Sequence, residues 1–153
     1  MGFEIALAAE KKPDFFSRAI MRALGTDYSH ALIIVDNSRL FHATEVGFHE
    51  SPLAEFVTDH IFRHRFDIKP ACERYALGWL DGCIGTEYSQ SQYLGFIFPI
   101  LRPLVTNGRA RTICSEAVAD FIFDCVADKP SMGAADFLSP KDIFDICTKL
   151  CQL

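Results

Sequence analysis

The stretch YSHALIIVDNSRLFHAT, Tyr28 to Thr44, decides the fold. An apolar run, His30–Val35, meets the polar cluster Asp36-Asn37-Ser38-Arg39, and a second run returns over Leu40–Thr44. Two such runs around a short polar cluster read as a β-hairpin. The hairpin carries two histidines, His30 and His42. Loop length decides whether they meet. With a three-residue loop, Asp36 to Ser38, Val35 faces Arg39 and His30 lies opposite Thr44. His42 is then on the same sheet face, one diagonal step away. A loop of two or four residues turns His42 to the other face and brings Glu45 or Ala43 to His30 instead. The third member of the group is therefore His42 or Glu45. For either histidine, a half-buried strand residue with a satisfied hydrogen bond is the rival reading.

Outward from the hairpin the chain alternates strands and helices. Phe3–Ala9 reads as a first strand. Asp14 caps a helix through Leu24, with Phe15, Phe16, Ala19, Ile20, Ala23 and Leu24 as its apolar stripe and Gly25 as its stop. Ser51 followed by Pro52 reads as a cap and first helical position, with the helix running to about Asp59. His60–Ile68 reads as a strand with mixed faces, and Pro70 to Asp81 as a helix. Gly82–Arg111, rich in Gly, Ser, Tyr and Pro, reads as a long loop with a short helix near Tyr93–Leu101. Thr112–Val126 is a strong helix, and Ser139-Pro140 opens a last one. A small antiparallel sheet packed against helices makes the chain α+β.

The bulk composition narrows the function. The chain has 153 residues, half of them hydrophobic, fourteen of them Phe. One globular domain over 1–153 is expected, and disorder is not. A net charge of −5 without a basic block disfavours nucleic acid, because phosphate neutralisation is the main source of that affinity. Phe3–Ala9 is too short and too interrupted for a signal peptide. Leu94–Val105 is cut by Pro99, Arg102 and Pro103, so no membrane span is expected. Together these point to the cytoplasm. There the six cysteines (Cys72, Cys83, Cys114, Cys125, Cys147, Cys151) are expected to be reduced thiols. Their spacings make no zinc ribbon or finger, so no metal is expected.

The sharpest chemical feature is RTICSEAVADFIFDCV, Arg111 to Val126. Cys114 falls at the predicted helix start, with Thr112 as cap and Glu116 in the first turn. A thiol there feels the positive end of the helix dipole, which favours the reactive thiolate. The rival reading makes Cys114 the first rung of a core stripe with Val118, Phe121, Ile122 and Cys125. Cys125, in mid-helix, is expected to have a raised pKa. A nucleophilic thiol needs an imidazole base, and the base needs an orienting group. His49, His60 and His64 read as surface or sheet-edge positions without a role.

These residues together resemble the NlpC clan of papain-like cysteine peptidases and amidases, in which a strand opens on the catalytic His and an HA pair follows on the next. Here His precedes Cys, which resembles the circularly permuted branch of the YiiX/YebB-like kind. GTDYSHA (Gly25–Ala31) is similar to that branch's approach to the base, and GTEYS (Gly85–Ser89) to its segment before the nucleophile. ICSEAVADFI (Ile113–Ile122) is similar to its Cys-Ser-Glu helix start, and LSPKDIFDI (Leu138–Ile146) to its closing helix. The resemblance implies a permuted papain-like fold, with Cys114 as nucleophile, His30 as base and His42 as the orienting residue. Many permuted relatives use Glu after the second strand, and Glu45 stands close to that place. The lecithin:retinol acyltransferase-like relatives share the permuted order, but their Asn-Cys-Glu-His signature is absent, since this chain has Ile-Cys-Ser-Glu.

The expected chemistry is acyl transfer. The Cys114 thiolate attacks an amide, ester or thioester, and His30 moves the proton. The Cys114 backbone N–H is the candidate oxyanion donor, since helix starts present such groups. Tyr28 is a weaker substrate or oxyanion contact, with packing as its rival role. Water completes hydrolysis without a cofactor, and the partner is a peptide, amide-linked or acyl substrate. The rivals are a catalytically idle binding module on this fold, an interaction protein docking through the Phe-rich region, and a lipid acyltransferase or thioesterase.

Overall fold

The computed structural model describes residues 1–88, 111–126 and 138–152. The elements run β1 (Phe3–Glu10), α1 (Phe15–Leu24), β2 (His30–Val35), β3 (Arg39–Thr44), β4 (Gly47–Pro52), α2 (Leu53–Asp59), β5 (His60–Ile68) and α3 (Glu73–Cys83). Then follow β6 (Glu87–Tyr88), β7 (Arg111–Thr112), α4 (Cys114–Cys125) and α5 (Pro140–Leu150). The fold is α+β. Five antiparallel strands make one sheet in the order β4-β3-β2-β1-β5, and β6 and β7 form a short parallel pair.

The hairpin takes the three-residue loop. Val35 pairs with Arg39, Ile34 with Leu40 and Ile33 with Phe41. Asp36 and Asn37 both sit at positive φ, 50° and 52°, which short polar side chains tolerate better than most. The Asp36 N–H donates to the Gly2 carbonyl and its carboxylate accepts from the Gly2 N–H, at 2.8 and 2.9 Å, which ties the turn to the chain start.

Strand alternation sorts the side chains into two layers. Phe3, Ile5, Leu7, Ala31, Ile33, Val35, Phe41 and Ala43 face one side, where α3, α4 and α5 cover them with Leu80, Val118, Phe121, Ile122 and Ile143. Ala6, Ala8, Leu32, Ile34 and Leu40 face the other, where Phe56 of α2 packs over them. The mixed faces of β5 have a cause. Leu7 pairs with His64 but Ala8 pairs with Phe62, so Arg63 is an extra, bulged residue. The bulge sends His64, Phe66 and Ile68 to the three-helix side and His60 and Phe62 to the α2 side.

Several sequence expectations need correction. Residues 47–52 form a strand that the sequence reading did not include, because its GFHESP run lacks strong β-formers. Ser51 is therefore a strand residue, and Pro52 is the residue before α2, with no side-chain cap bond. Helix α3 starts at Glu73 rather than Pro70, which instead forms an isolated bridge with Val126. Thr112 lies in β7 and does not cap α4, whose preceding residue is Ile113. The short helix expected near Tyr93–Leu101 lies outside the described residues. Helix α1 matches: Asp14 accepts from the Ser17 N–H at 2.7 Å, and Gly25 closes it at φ 64°. Helix α5 also matches, with Ser139 and Asp142 forming a reciprocal capping box.

Gly47 fixes how the β4 edge meets the chain beyond α3. Its φ is +100°, and a Cβ there would lie 2.7 Å from the Thr86 carbonyl oxygen. That carbonyl accepts from the Phe48 N–H at 2.8 Å. Gly47→Ala is expected to lower stability by about 1–3 kcal/mol in chemical denaturation, from backbone strain plus the clash. An unchanged midpoint would show that this turn is not constrained as described.

Candidate functional site

Three strand positions bring polar side chains onto the α2 side of the sheet. His30 opens β2, His42 lies in β3, and Ser51 lies near the end of β4. In β4 the pairs His42–His49 and Leu40–Ser51 keep the same alternation, so His49 and Ser51 also face this side. The rings meet directly. His30 Nε2 and His42 Nδ1 are 3.1 Å apart, and His42 Nε2 is 3.2 Å from Ser51 Oγ. His49 packs against His42 at 4.4 Å between ring centres. Phe56 stacks on His60 at 3.9 Å and also touches His30 and His42.

This is a three-member relay in an apolar setting. One proton lies between His30 and His42, so one imidazole donates and the other accepts. Burial sets their charge. His30 is pushed down to about 4, chiefly by burial, with the Glu10 carboxylate opposing. His42 falls to about 2, from burial and then from the neighbouring His30, His49 and His60. His60 is lowered as well, by burial and His30. Both members of the pair are neutral at pH 7 and act there as a donor–acceptor couple.

The other sequence candidates take different places. Glu45 sits in the exposed turn between β3 and β4, so the three-residue loop selects His42, not Glu45, as the partner of His30. Tyr28 is buried on the three-helix side, edge-on to His64 at 5.5 Å and stacked on Phe144 at 6.3 Å. Burial and the carboxylates of Asp145, Asp27 and Asp142 hold its phenol protonated. There its ring packs against His64 and Phe144, on the side of the sheet away from His30 and His42.

Cys114 occupies the first position of α4, as the helix reading expected, and is 1% exposed. It belongs to the three-helix layer with Ala31, Ala43 and Tyr28. The sequence reading pairs Cys114 with His30; in the structure Cys114 belongs to the Ala31 side of the sheet and the His30 ring to the other. His30 and Ala31 are consecutive in a strand and point to opposite sides. Cys114 nevertheless lies at the imidazole end of the sheet. The far end of α4 holds Phe121 against Phe3, and Cys125 accepts from the Ala71 N–H just beyond β5. The near end is tied by Ser115 Oγ, which donates to the Leu138 carbonyl at the approach to α5, whose acids face Tyr28. The mid-helix Cys125 is pushed up to about 12 by burial, as expected, and Cys147 likewise.

Ser51, His49 and His60 were missed as site residues. The signal for the first two was the spacing of a further hairpin, with Gly47 as its turn residue. His60 was concealed by the bulge at Arg63, which reverses its face. Among the described residues, no group of three or more His, Cys, Asp or Glu side chains is arranged to hold a metal ion. No helix among them is long and apolar enough to cross a membrane.

The neutral imidazoles make stability depend on pH. In the unfolded chain each histidine takes up its proton near 6.5. In the folded chain His30 does so only near 4 and His42 near 2. Below 6.5 the unfolded state thus binds more protons, and stability falls as pH drops. From pH 6.5 to about 5 carboxylates stay largely ionised in both states, so the slope there reports the histidines. Urea titrations of the native chain should show declining stability over that window, with a smaller decline in His30→Gln. A flat profile would contradict a neutral pair of half-buried His30 and buried His42. No protein-family model matches the chain, and neither a curated protein nor a solved structure matches it.

Proposed function

We propose that the chain is an acyl-transfer hydrolase whose proton-moving group is the His30–His42 pair, with Cys114 as its nucleophile on a permuted papain-like fold. The observation that carries this reading is the 3.1 Å contact between His30 Nε2 and His42 Nδ1. It is the arrangement of a base held by an orienting partner. In the productive tautomer His30 Nε2–H donates to His42 Nδ1, and His42 Nε2–H donates to Ser51 Oγ. His30 Nδ1 then carries the free lone pair.

The proposed reaction has two halves. His30 Nδ1 takes the Cys114 proton, and the sulfur attacks the carbonyl carbon of an amide, ester or thioester. The Cys114 N–H, at the positive end of α4, stabilises the oxyanion. Collapse of the tetrahedral species passes the proton from His30 to the leaving group and leaves an acyl-thioester. Water then attacks with His30 as base, releasing the acid and the thiol. The scheme requires sulfur and Nδ1 to come within hydrogen-bond reach around the start of β2, because the two now lie on opposite sides of the strand.

A second reading has its own observation. With the relay reversed, Ser51 O–H donates to His42 Nε2 and His42 Nδ1–H donates to His30 Nε2. The 3.2 Å contact then makes Ser51 the nucleophile, His42 the base and His30 the orienting group.

Covalent labelling separates the two. The protein is incubated with an acyl chloromethyl ketone or with a fluorophosphonate, and the modified residue is located by peptide mass spectrometry. The first reading predicts labelling at Cys114, lost in Cys114→Ala and reduced at least tenfold in His30→Gln. The second predicts fluorophosphonate on Ser51, lost in Ser51→Ala. No selective labelling of either residue would overturn the hydrolase reading.

A further inference from the structure

Helix α1 leaves half of its apolar face open. Of its ten residues only Ile20 is buried. At 3.6 residues per turn, Phe16, Ala19, Ile20 and Ala23 form one stripe with Phe15 at its edge. Phe15 is 72% exposed and Phe16 57%, the helix's two largest side chains. Arg18 and Arg22 stack one turn apart beside Phe15, both exposed, and neither forms an ion pair with a described residue.

The helix and its approach carry a local excess of cations. From Glu10 to Gly25 there are four cations, Lys11, Lys12, Arg18 and Arg22, against Glu10 and Asp14, in a chain of net −5. Both acids are occupied at the helix start: Asp14 caps Ser17, and Glu10 accepts from the Asp14 N–H at 3.1 Å. Lys11 anchors the approach, donating its Nζ to the Val57 and Thr58 carbonyls at 2.9 and 2.8 Å. The helix is thus capped at both ends, fixed at its base, and presents aromatic rings flanked by arginines.

We infer that α1 is an interfacial anchor that docks the protein on an anionic lipid surface. The Phe15 and Phe16 rings enter the acyl boundary, and Arg18, Arg22 and Lys12 lie at the headgroup phosphates. Apolar insertion and charge attraction add in this geometry, and one short helix gives reversible attachment. The inference is independent of the reaction assigned to the imidazole pair.

The test is co-sedimentation of the full chain with vesicles of phosphatidylglycerol and phosphatidylcholine, or of phosphatidylcholine alone. Binding to the anionic vesicles is expected, at least tenfold weaker to the neutral ones, and reversed by about 0.5 M salt. Phe15→Ser with Phe16→Ser, and separately Arg18→Glu with Arg22→Glu, should each reduce binding at least tenfold. Both pairs are exposed, so thermal unfolding should be unchanged. Absence of binding, equal binding to neutral vesicles, or full binding by either double variant would overturn the inference. So would Phe15- and Phe16-dependent dimerisation in sedimentation equilibrium without vesicle binding, which would assign the face to a second copy of the chain.

Discussion

Everything at this site depends on strand β2 having two faces. Its odd-numbered residues, Ala31, Ile33 and Val35, are the floor on which three helices pack. Its even-numbered residues, His30, Leu32 and Ile34, look the other way, toward Phe56. The turn at Asp36–Ser38 fixes which β3 residues join each set, since a slip of one residue would exchange the faces. The same constraint that builds the hydrophobic core therefore aligns His42 with His30, and β4 then aligns Ser51 with His42.

The layers also differ in what covers them. Three helices seal the Ala31 side, and the small side chains of Ala31 and Ala43 admit α4 close to the sheet. Among the described residues the other side has one short helix, with Phe56 packed over it. An imidazole pair placed there is dry enough to stay neutral. A pair of charged histidines at this distance would repel each other with little solvent to screen them, so burial and mutual contact enforce the same state.

Much of this was legible in the sequence. The hairpin residues, the caps at Asp14 and Ser139, and the stop at Gly25 are local signals, and each element they mark is present. The pairing of His30 with His42 was legible up to one residue of loop length, which Asp36 and Asn37 settle by accepting positive φ. Strand β4 was not legible, because its residues are ordinary in isolation and become a strand by pairing with β3. The face reached by Cys114 was not legible either. A helix start can be read from a cap and a dipole, but which side of a sheet the helix covers is a tertiary fact. The bulge at Arg63 shows the same limit, since one extra residue moved His60 into the site and left His64 beneath α5.

The most direct measurement of the central claim is the titration of the imidazoles by nitrogen-15 NMR. The account predicts that His30 and His42 stay neutral from pH 8 down to pH 5.5, with His30 taking up its proton near 4. It also predicts that the two hold complementary tautomers, with one proton between His30 Nε2 and His42 Nδ1. Titration of either residue near the ordinary value of about 6.5 would contradict a neutral, hydrogen-bonded pair.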